Sequence, residues 1–406
     1  MWFYNLAIGF CLVLARLLSP VCPKLRAMLE GRKELFEQLQ SAIGDADNIV
    51  WVHVASLGEF EQGRPIVDYI HAHYPDRKIL LTFFSPSGYN VRKNYPNADY
   101  VFYIPIDTRR NVRRFLDIVK PQVAIFVKCE IWLNMLAELR QRGVRTFLAS
   151  AIFRRNSIFF KPYGWWWREA LQSFETLFVQ DEPSKALLAE LGIGQVVVAG
   201  DTRFDRVLSI AESSEKVDVI ERFKGEKRLF VAGSTWGPDE DILIPLINEN
   251  PDLKFVVAPH EIEEERITKL EREVRGGVVR FTQGASVEMA DKQLFVLDTI
   301  GLLSRVYGSA DWGYIGGGFG VGIHNTLEAA VFGLPIAFGP NYRKFKEARD
   351  LVELGVGCSV ENRTDLKAWF DELKGDEEYC ARLSALAKAY VGHHRGATEK
   401  IIKSIF

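Results

Sequence analysis

WGYIGGGFGVGIHNTLE, residues 312–328, opens with the short apolar run Trp312–Ile315, passes through glycine at five of the seven positions 316–322, and ends in a helix-opening run. A strand that feeds a helix through a glycine loop is the repeating unit of a parallel α/β sheet. Glycine lets backbone approach a phosphate, and the helix N-terminus beyond it offers free N–H groups and the positive end of its dipole. The loop does not match GxGxxG followed by an acidic residue about 20 positions on, so it is not read as an NAD site.

The same grammar runs outward in both directions. Before it, Ile49–Val54, Ile79–Phe84, Tyr100–Ile104, Val123–Val127, Thr146–Ala149 and Thr176–Val179 predict one set of strands. Leu229–Ala232, Lys254–Ala258, Val278–Phe281, Leu294–Val296, Trp312–Ile315 and Leu334–Phe338 predict a second. Amphipathic stretches separate them, which gives an α/β chain of two Rossmann-like domains facing each other across a cleft. That arrangement resembles the GT-B fold of glycosyltransferases. The expected divisions are an N-terminal anchor at 1–23, a first domain at 24–205, a hinge at 206–226, a second domain at 227–390, and a C-terminal helix at 391–406 crossing back to the first. The closing helix is expected to run unbroken from about Glu377 to Phe406.

A chain of 406 residues, 48% hydrophobic and 26% charged, exceeds one ordinary core and carries no low-complexity tract. Its net charge of −2 hides a split, with 24 Lys+Arg against 19 Asp+Glu up to residue 200 and the reverse bias after it. That excess is far below a nucleic-acid footprint but suits an anionic lipid surface or a phosphorylated substrate. Five widely spaced cysteines with no CxxC suggest neither a disulfide framework nor a zinc site, and a reducing compartment fits.

Residues 1–23, MWFYNLAIGFCLVLARLLSPVCP, are apolar except for Asn5, Arg16 and Ser19, and Lys24, Arg26, Arg32 and Lys33 follow. Charges after the apolar run, not before it, argue for an anchor with the remainder of the chain on the inside. Arg16 interrupts the run, so an interfacial helix and a short tilted span both remain open. A second membrane-facing candidate, residues 158–168, sets Tyr163, Trp165, Trp166 and Trp167 beside Lys161 and Arg168. Core packing of these rings is the competing reading.

Carboxylates stand where strands end. In HVASLGE, Glu59 follows Ser56 and Gly58 at a helix start, where it either takes a proton from an attacking hydroxyl or complements the helix dipole. Glu130, after Val123–Val127, either orients acceptor hydroxyls or a cation, or caps a helix. In the second domain Ser234-Thr235, His260 and Gly316–Gly318 offer anion contacts, and Asn325 and Glu328, three apart, could hold ribose hydroxyls. No metal motif occurs.

HVASLGE (53–59), SPSGYN (85–90), YIPID (103–107), EIWLN (130–134), FRRNS (153–157), GDTRFD (200–205), AGSTW (232–236), DTIGLLSRVYGSAD (298–311) and the GGG…GIHNTLEAAVFGLPIAFGP block (316–340) stand in one order. Together they resemble the bacterial 3-deoxy-D-manno-octulosonic acid (Kdo) transferases of lipid A assembly. The resemblance implies an inverting transferase that needs no metal or cofactor and works on the cytoplasmic face of the inner membrane. Its donor would be CMP-Kdo, bound by the second domain. Its acceptor would be lipid IVA, an acylated, phosphorylated glucosamine disaccharide, bound by the first. It implies Glu59 as base and Glu130 as second acceptor-side carboxylate. Ser234, Thr235, His260, Gly317, Gly318, Asn325 and Glu328 would lie on the donor, and Ser56, Gly58, Arg154, Arg155, Trp165 and Trp166 toward acceptor and membrane. Pro259-His260-Glu261 lacks the family's donor-site arginine, Leu302 replaces a carboxylate, and Ile152 stands where an arginine is expected. Other GT-B enzymes on UDP-sugars, and a non-catalytic sugar-nucleotide or lipid binder, are the alternatives.

Overall fold

The computed structural model describes residues 2–44, 48–213, 215–283 and 289–406. The chain forms two compact units, Met1–Arg206 with Gly396–Phe406, and Val207–Arg395. In the first unit β1 (Ile49–Val54), β2 (Lys78–Phe83), β3 (Tyr100–Tyr103), β4 (Val123–Val127), β5 (Arg145–Ala151), β6 (Thr176–Val179) and β7 (Val196–Val198) form one parallel sheet, ordered β3-β2-β1-β4-β5-β6-β7. Val50 stands opposite Ile79 on one side and Val123 on the other. Every residue of β1 and β4 is buried. Trp51, Ala124 and Phe126 fill the core on one face, and Val50, Val52 and Ile125 fill the other. Burial on both faces is why these strands are continuous apolar runs without alternation.

The second unit repeats the plan with β8 (Leu229–Thr235), β9 (Lys254–Pro259), β10 (Val278–Arg280), β11 (Leu294–Val296), β12 (Trp312–Ile315), β13 (Ile336–Phe338) and β14 (Gly357–Ser359), ordered β10-β11-β9-β8-β12-β13-β14. All its pairings are parallel. Each sheet has one place where the strand order reverses, between β1 and β4 in the first and between β8 and β12 in the second. Loops leaving the carboxyl ends of strands part at such a point and leave room for a ligand.

Twelve of these strands lie within three residues of their sequence-predicted bounds. The two unanticipated ones, β7 and β14, have three residues each and sit at sheet edges. The stretch 206–226, read as a hinge, is largely helical, within Thr202–Ser213 and Asp218–Lys224. The closing helix is two, Glu377–His393 and Ala397–Ile405, parted at Gly396 with φ +98°. Asp205 makes the break possible by accepting the Gly396 N–H at 2.6 Å and the Thr398 N–H at 2.7 Å, two of the free amides of the second helix. Ile401, Ile402 and Ile405 then bury in the first unit's core.

Eight helices of the first unit matter below: α1 (Trp2–Leu18), α2 (Pro23–Glu30), α3 (Leu35–Ile43), α4 (Leu57–His73), α5 (Pro86–Arg92), α6 (Arg109–Val119), α7 (Leu133–Gln141) and α8 (Trp165–Leu171). No single helix among the described residues is long and apolar enough to cross a membrane, and α1 meets α2 at 117°. The polar residues at the start of α1 tie it to the domain. Tyr4 Oη donates to Asp107 Oδ2 at 2.6 Å, and Asn134 Nδ2 donates to Asn5 Oδ1 at 2.8 Å. The rest of α1 presents Phe3, Leu6, Phe10, Val13 and Leu17 to the outside, each more than half exposed.

Candidate functional site

The first unit's reversal point gathers the carboxylates. Glu59 lies in the first turn of α4, and its Oε2 accepts the Ala55 N–H at 2.8 Å, which fixes the carboxylate at the helix N-terminus. Its Oε1 faces Lys128 Nζ at 4.0 Å. Lys128, one residue past β4, has φ +70°, a left-handed conformation that costs a lysine on the order of 1–2 kcal/mol and turns its side chain toward the carboxylate. Burial raises the Glu59 pKa, the neighbouring Glu130 charge raises it further, and Lys128, the Ala55 amide and His53 oppose them. The rise prevails because a pair at 4.0 Å, with lysine half in water, is too weak to offset desolvation. One carboxylate oxygen thus meets the helix N-terminus while the other is turned toward Lys128.

Behind Glu130 runs a buried relay. Trp51 Nε1 donates to Thr82 Oγ1 at 2.8 Å, and that hydroxyl lies 2.9 Å from His53 Nδ1. His53 Nδ1 also lies 3.2 Å from the Thr82 carbonyl, and Nε2 faces Glu130 Oε2 at 3.7 Å. Trp132 Nε1 holds the same Glu130 oxygen at 3.0 Å. Sequence reasoning gave no role to His53, Thr82 or Trp132; the pairing of β1 with β2 brings His53 beside Thr82.

Glu59, Glu130, Lys128, Arg154, Asn156 and Ile152 line one cavity of about 430 Å³. Arg155, by contrast, forms a two-point ion pair with Glu190, at 2.5 and 2.6 Å, and is not among the lining residues. Ser56 begins α4 without a side-chain cap, and Gly58 faces open space. Trp165 and Tyr163 are at least half exposed, whereas Trp166 packs at a tilt against Trp165 and reaches the Phe3 ring of α1, and Trp167 packs edge-on to Tyr4.

At the second unit's reversal point the glycine loop meets the end of β8. Gly316 and Gly318 are required by packing. A Cβ on Gly316 would overlap the Ser234 carbonyl, and one on Gly318 would lie 2.5 Å from Gly339 Cα. Gly317 has φ +91°, and its amide is taken at 2.9 Å by Asp239, which also accepts Tyr314 Oη and Trp236 N. The Gly317 N–H is therefore closed to a phosphate, contrary to the sequence expectation. Gly318 and Phe319 keep amides without a hydrogen-bond partner among the described residues. Thr235 is another correction: its buried hydroxyl donates inward to Glu240 Oε1 at 2.9 Å. Ser234, with φ +54°, mirrors Lys128 as a left-handed residue at a strand end.

His260 stacks on His324 at 4.2 Å and lies 4.9 Å from the Trp236 ring. Trp236 Nε1 donates to His324 Nε2 at 3.3 Å, and burial with the adjacent His260 lowers the His324 pKa to about 4. Burial lowers that of His260 as well, so at neutral pH the stack is uncharged. The cation over this loop is Lys344, whose Nζ donates to the Val321 carbonyl and covers Gly322. Asn325 Nδ2 donates to Glu328 Oε1 at 3.1 Å, and the helix expected to carry both starts at Leu327, two residues after Asn325.

Comparison with known proteins agrees in both halves. Residues 29–206 match the family model described as 3-deoxy-D-manno-octulosonic-acid transferase (kdotransferase). A 3-deoxy-D-manno-octulosonic acid transferase of Haemophilus influenzae is 24% identical over 367 residues, 87% of this chain and 85% of the relative. One of Chlamydophila psittaci is 25% identical over 348 residues, 82% of this chain and 79% of the relative. A bifunctional glycosyltransferase/methyltransferase of Fusobacterium nucleatum is 22% identical over 329 residues, 78% of this chain, which spans only about half (51%) of that longer protein. In fold, the chain is similar to UDP-GlcNAc 2-epimerase from Neisseria meningitidis, with a TM-score of 0.63 at 15% identity over 88% of this chain and 99% of that one. Residues 29–206 thus match the domain described as 3-deoxy-D-manno-octulosonic-acid transferase, and the transferases similar to this chain align on through its second unit.

Proposed function

We propose that this chain transfers Kdo from CMP-Kdo to lipid IVA with inversion, at the cytoplasmic face of the bacterial inner membrane. The observation that carries the reading is Glu59, held through one oxygen while the other faces the cavity and binds a proton more readily than an ordinary carboxylate. An acceptor hydroxyl attacks the anomeric carbon from the side opposite CMP. The new C–O bond forms as the bond to the CMP phosphate oxygen breaks, the hydroxyl proton passes to Glu59 Oε1, and CMP departs as the anion. Glu130, steadied by Trp132, orients the acceptor, and Lys128 and Arg154 meet its anionic groups.

On the donor side the Gly318 and Phe319 amides and Lys344 receive the phosphate, in place of the missing arginine. Asn325 and Glu328 hold ribose hydroxyls. Neither metal nor cofactor is part of this proposal. The exposed apolar face of α1, with Tyr163 and Trp165, supports a helix lying in the interface.

The test is transfer of radiolabelled Kdo to a tetra-acylated lipid A precursor, with CMP-Kdo generated in situ and EDTA present. A slower-migrating lipid product is expected. No product from folded protein would remove the assignment and turn attention to UDP-sugars. On the donor side, Glu328→Ala should weaken CMP binding about tenfold, roughly 1.4 kcal/mol. Titration calorimetry reads this directly, and an unchanged Kd would end the ribose role.

A further inference from the structure

We propose that the groove between α1, α2, α3 and the first turns of α6 binds the headgroup of an anionic phospholipid, an inference that rests on the reading of α1 as a membrane-surface helix. The groove holds about 520 Å³, in the range that takes a small ligand. Arg16, Arg26, Arg32, Lys33 and Arg114 line it against Glu30 and Glu37, an excess of three positive charges.

Three of the cations are already committed. Arg32 donates to the carbonyls of Met28, Phe84 and Ile104. Arg26 holds the carbonyls of Ser19 and Pro20 at the bend between α1 and α2. Arg114 pairs with Glu37 at 2.9 Å. Arg16 and Lys33 are exposed and have no side-chain hydrogen-bond or ion-pair partner among the described residues. Two uncompensated cations thus border a groove that Leu12, Leu29 and Ile106 make partly apolar.

Arg16 also stands between Val13 and Leu17 on the exposed apolar helix, so the groove adjoins the surface that would meet the bilayer. A phosphodiester with an apolar stem satisfies both kinds of lining, and a free phosphate satisfies only one.

The experiment titrates full-length protein with dihexanoyl-phosphatidylglycerol below its micelle concentration, beside inorganic phosphate and dihexanoyl-phosphatidylcholine. Saturable binding of the glycerol lipid is expected, weakened roughly 25-fold in the R16Q/K33Q double variant at about fivefold per surface cation. Neither side chain supports the fold, so the variant should melt with the wild type. Equal binding by inorganic phosphate or by the choline lipid, or unchanged affinity in the double variant, overturns the proposal. Kdo transfer in detergent should be unaffected in R16Q/K33Q. A wild type without transfer but with headgroup affinity would overturn the functional reading alone, and intact transfer without headgroup affinity would overturn this inference alone.

Discussion

Glu59→Gln lowers kcat roughly 10³-fold, about 4 kcal/mol, and leaves CMP affinity unchanged. The amide keeps the size of the side chain and can still accept the Ala55 N–H, so α4 starts where it did. What it removes is the oxygen that takes the proton. In wild type the rate should fall as pH drops through a pKa above the ordinary carboxylate range, because burial and then Glu130 raise that of Glu59. Stability carries the opposite sign. A carboxyl whose folded pKa is raised stabilises the fold most when protonated, and that contribution is lost as pH rises through the folded value. Glu59→Gln is therefore expected to melt higher than wild type at neutral pH, with the gap closing in acid. Steady-state kinetics and melting across one pH series check both. Wild-type turnover in the variant would remove Glu59 as the base, and a lower Tm at neutral pH would contradict its burial as a costly charge.

The sheets were legible because burial on both faces writes strands as uninterrupted apolar runs, and the reversal points were legible because their loops carry Gly-rich or acidic motifs. β7 and β14 escaped because three-residue edge strands need little composition of their own. The site was legible only down to its backbone. That Glu59 and Glu130 share a cavity follows from β1 and β4 being neighbours, which their motifs suggest. That Thr235 turns inward depends on a buried Glu240, and that Gly317 is closed depends on Asp239. Neither hydrogen bond has a signature in spacing. Nor does spacing show that Gly316 and Gly318 also serve packing, by letting backbones approach Ser234 and Gly339. Arg155 was equally unreadable, because adjacent arginines at a loop give no sign of which one meets Glu190.

Asp107→Ala is expected to destabilise the protein by about 3–5 kcal/mol and to free α1, well beyond what loss of a surface ion pair would cost. Asp107 is 1% exposed and accepts three hydrogen bonds. The Asn134 N–H at 3.1 Å and the Met135 N–H at 3.0 Å are first-turn amides of α7, which Asp107 caps from a distant loop, and the third donor is Tyr4 on α1. Removing the carboxylate leaves two buried amides and a hydroxyl unpaired, and the main penalty lies in those orphans. Burial still raises the Asp107 pKa despite its three donors, and the carboxylate in turn adds to the burial that raises that of Tyr4, so the two ends of the latch are mutually dependent. Tyr4→Phe is the milder control: it unties α1 from Asp107 but leaves α7 capped, and should cost about 1–2 kcal/mol. Urea melts of both variants, with protease sensitivity of α1, separate the two functions. If α1 stays protected in Asp107→Ala, Asn5 and the aromatic contacts of Phe3 and Tyr4 hold the helix by themselves, and the latch is secondary. If it is released, the same carboxylate that starts α7, just past Glu130, also fixes the helix proposed to meet the membrane.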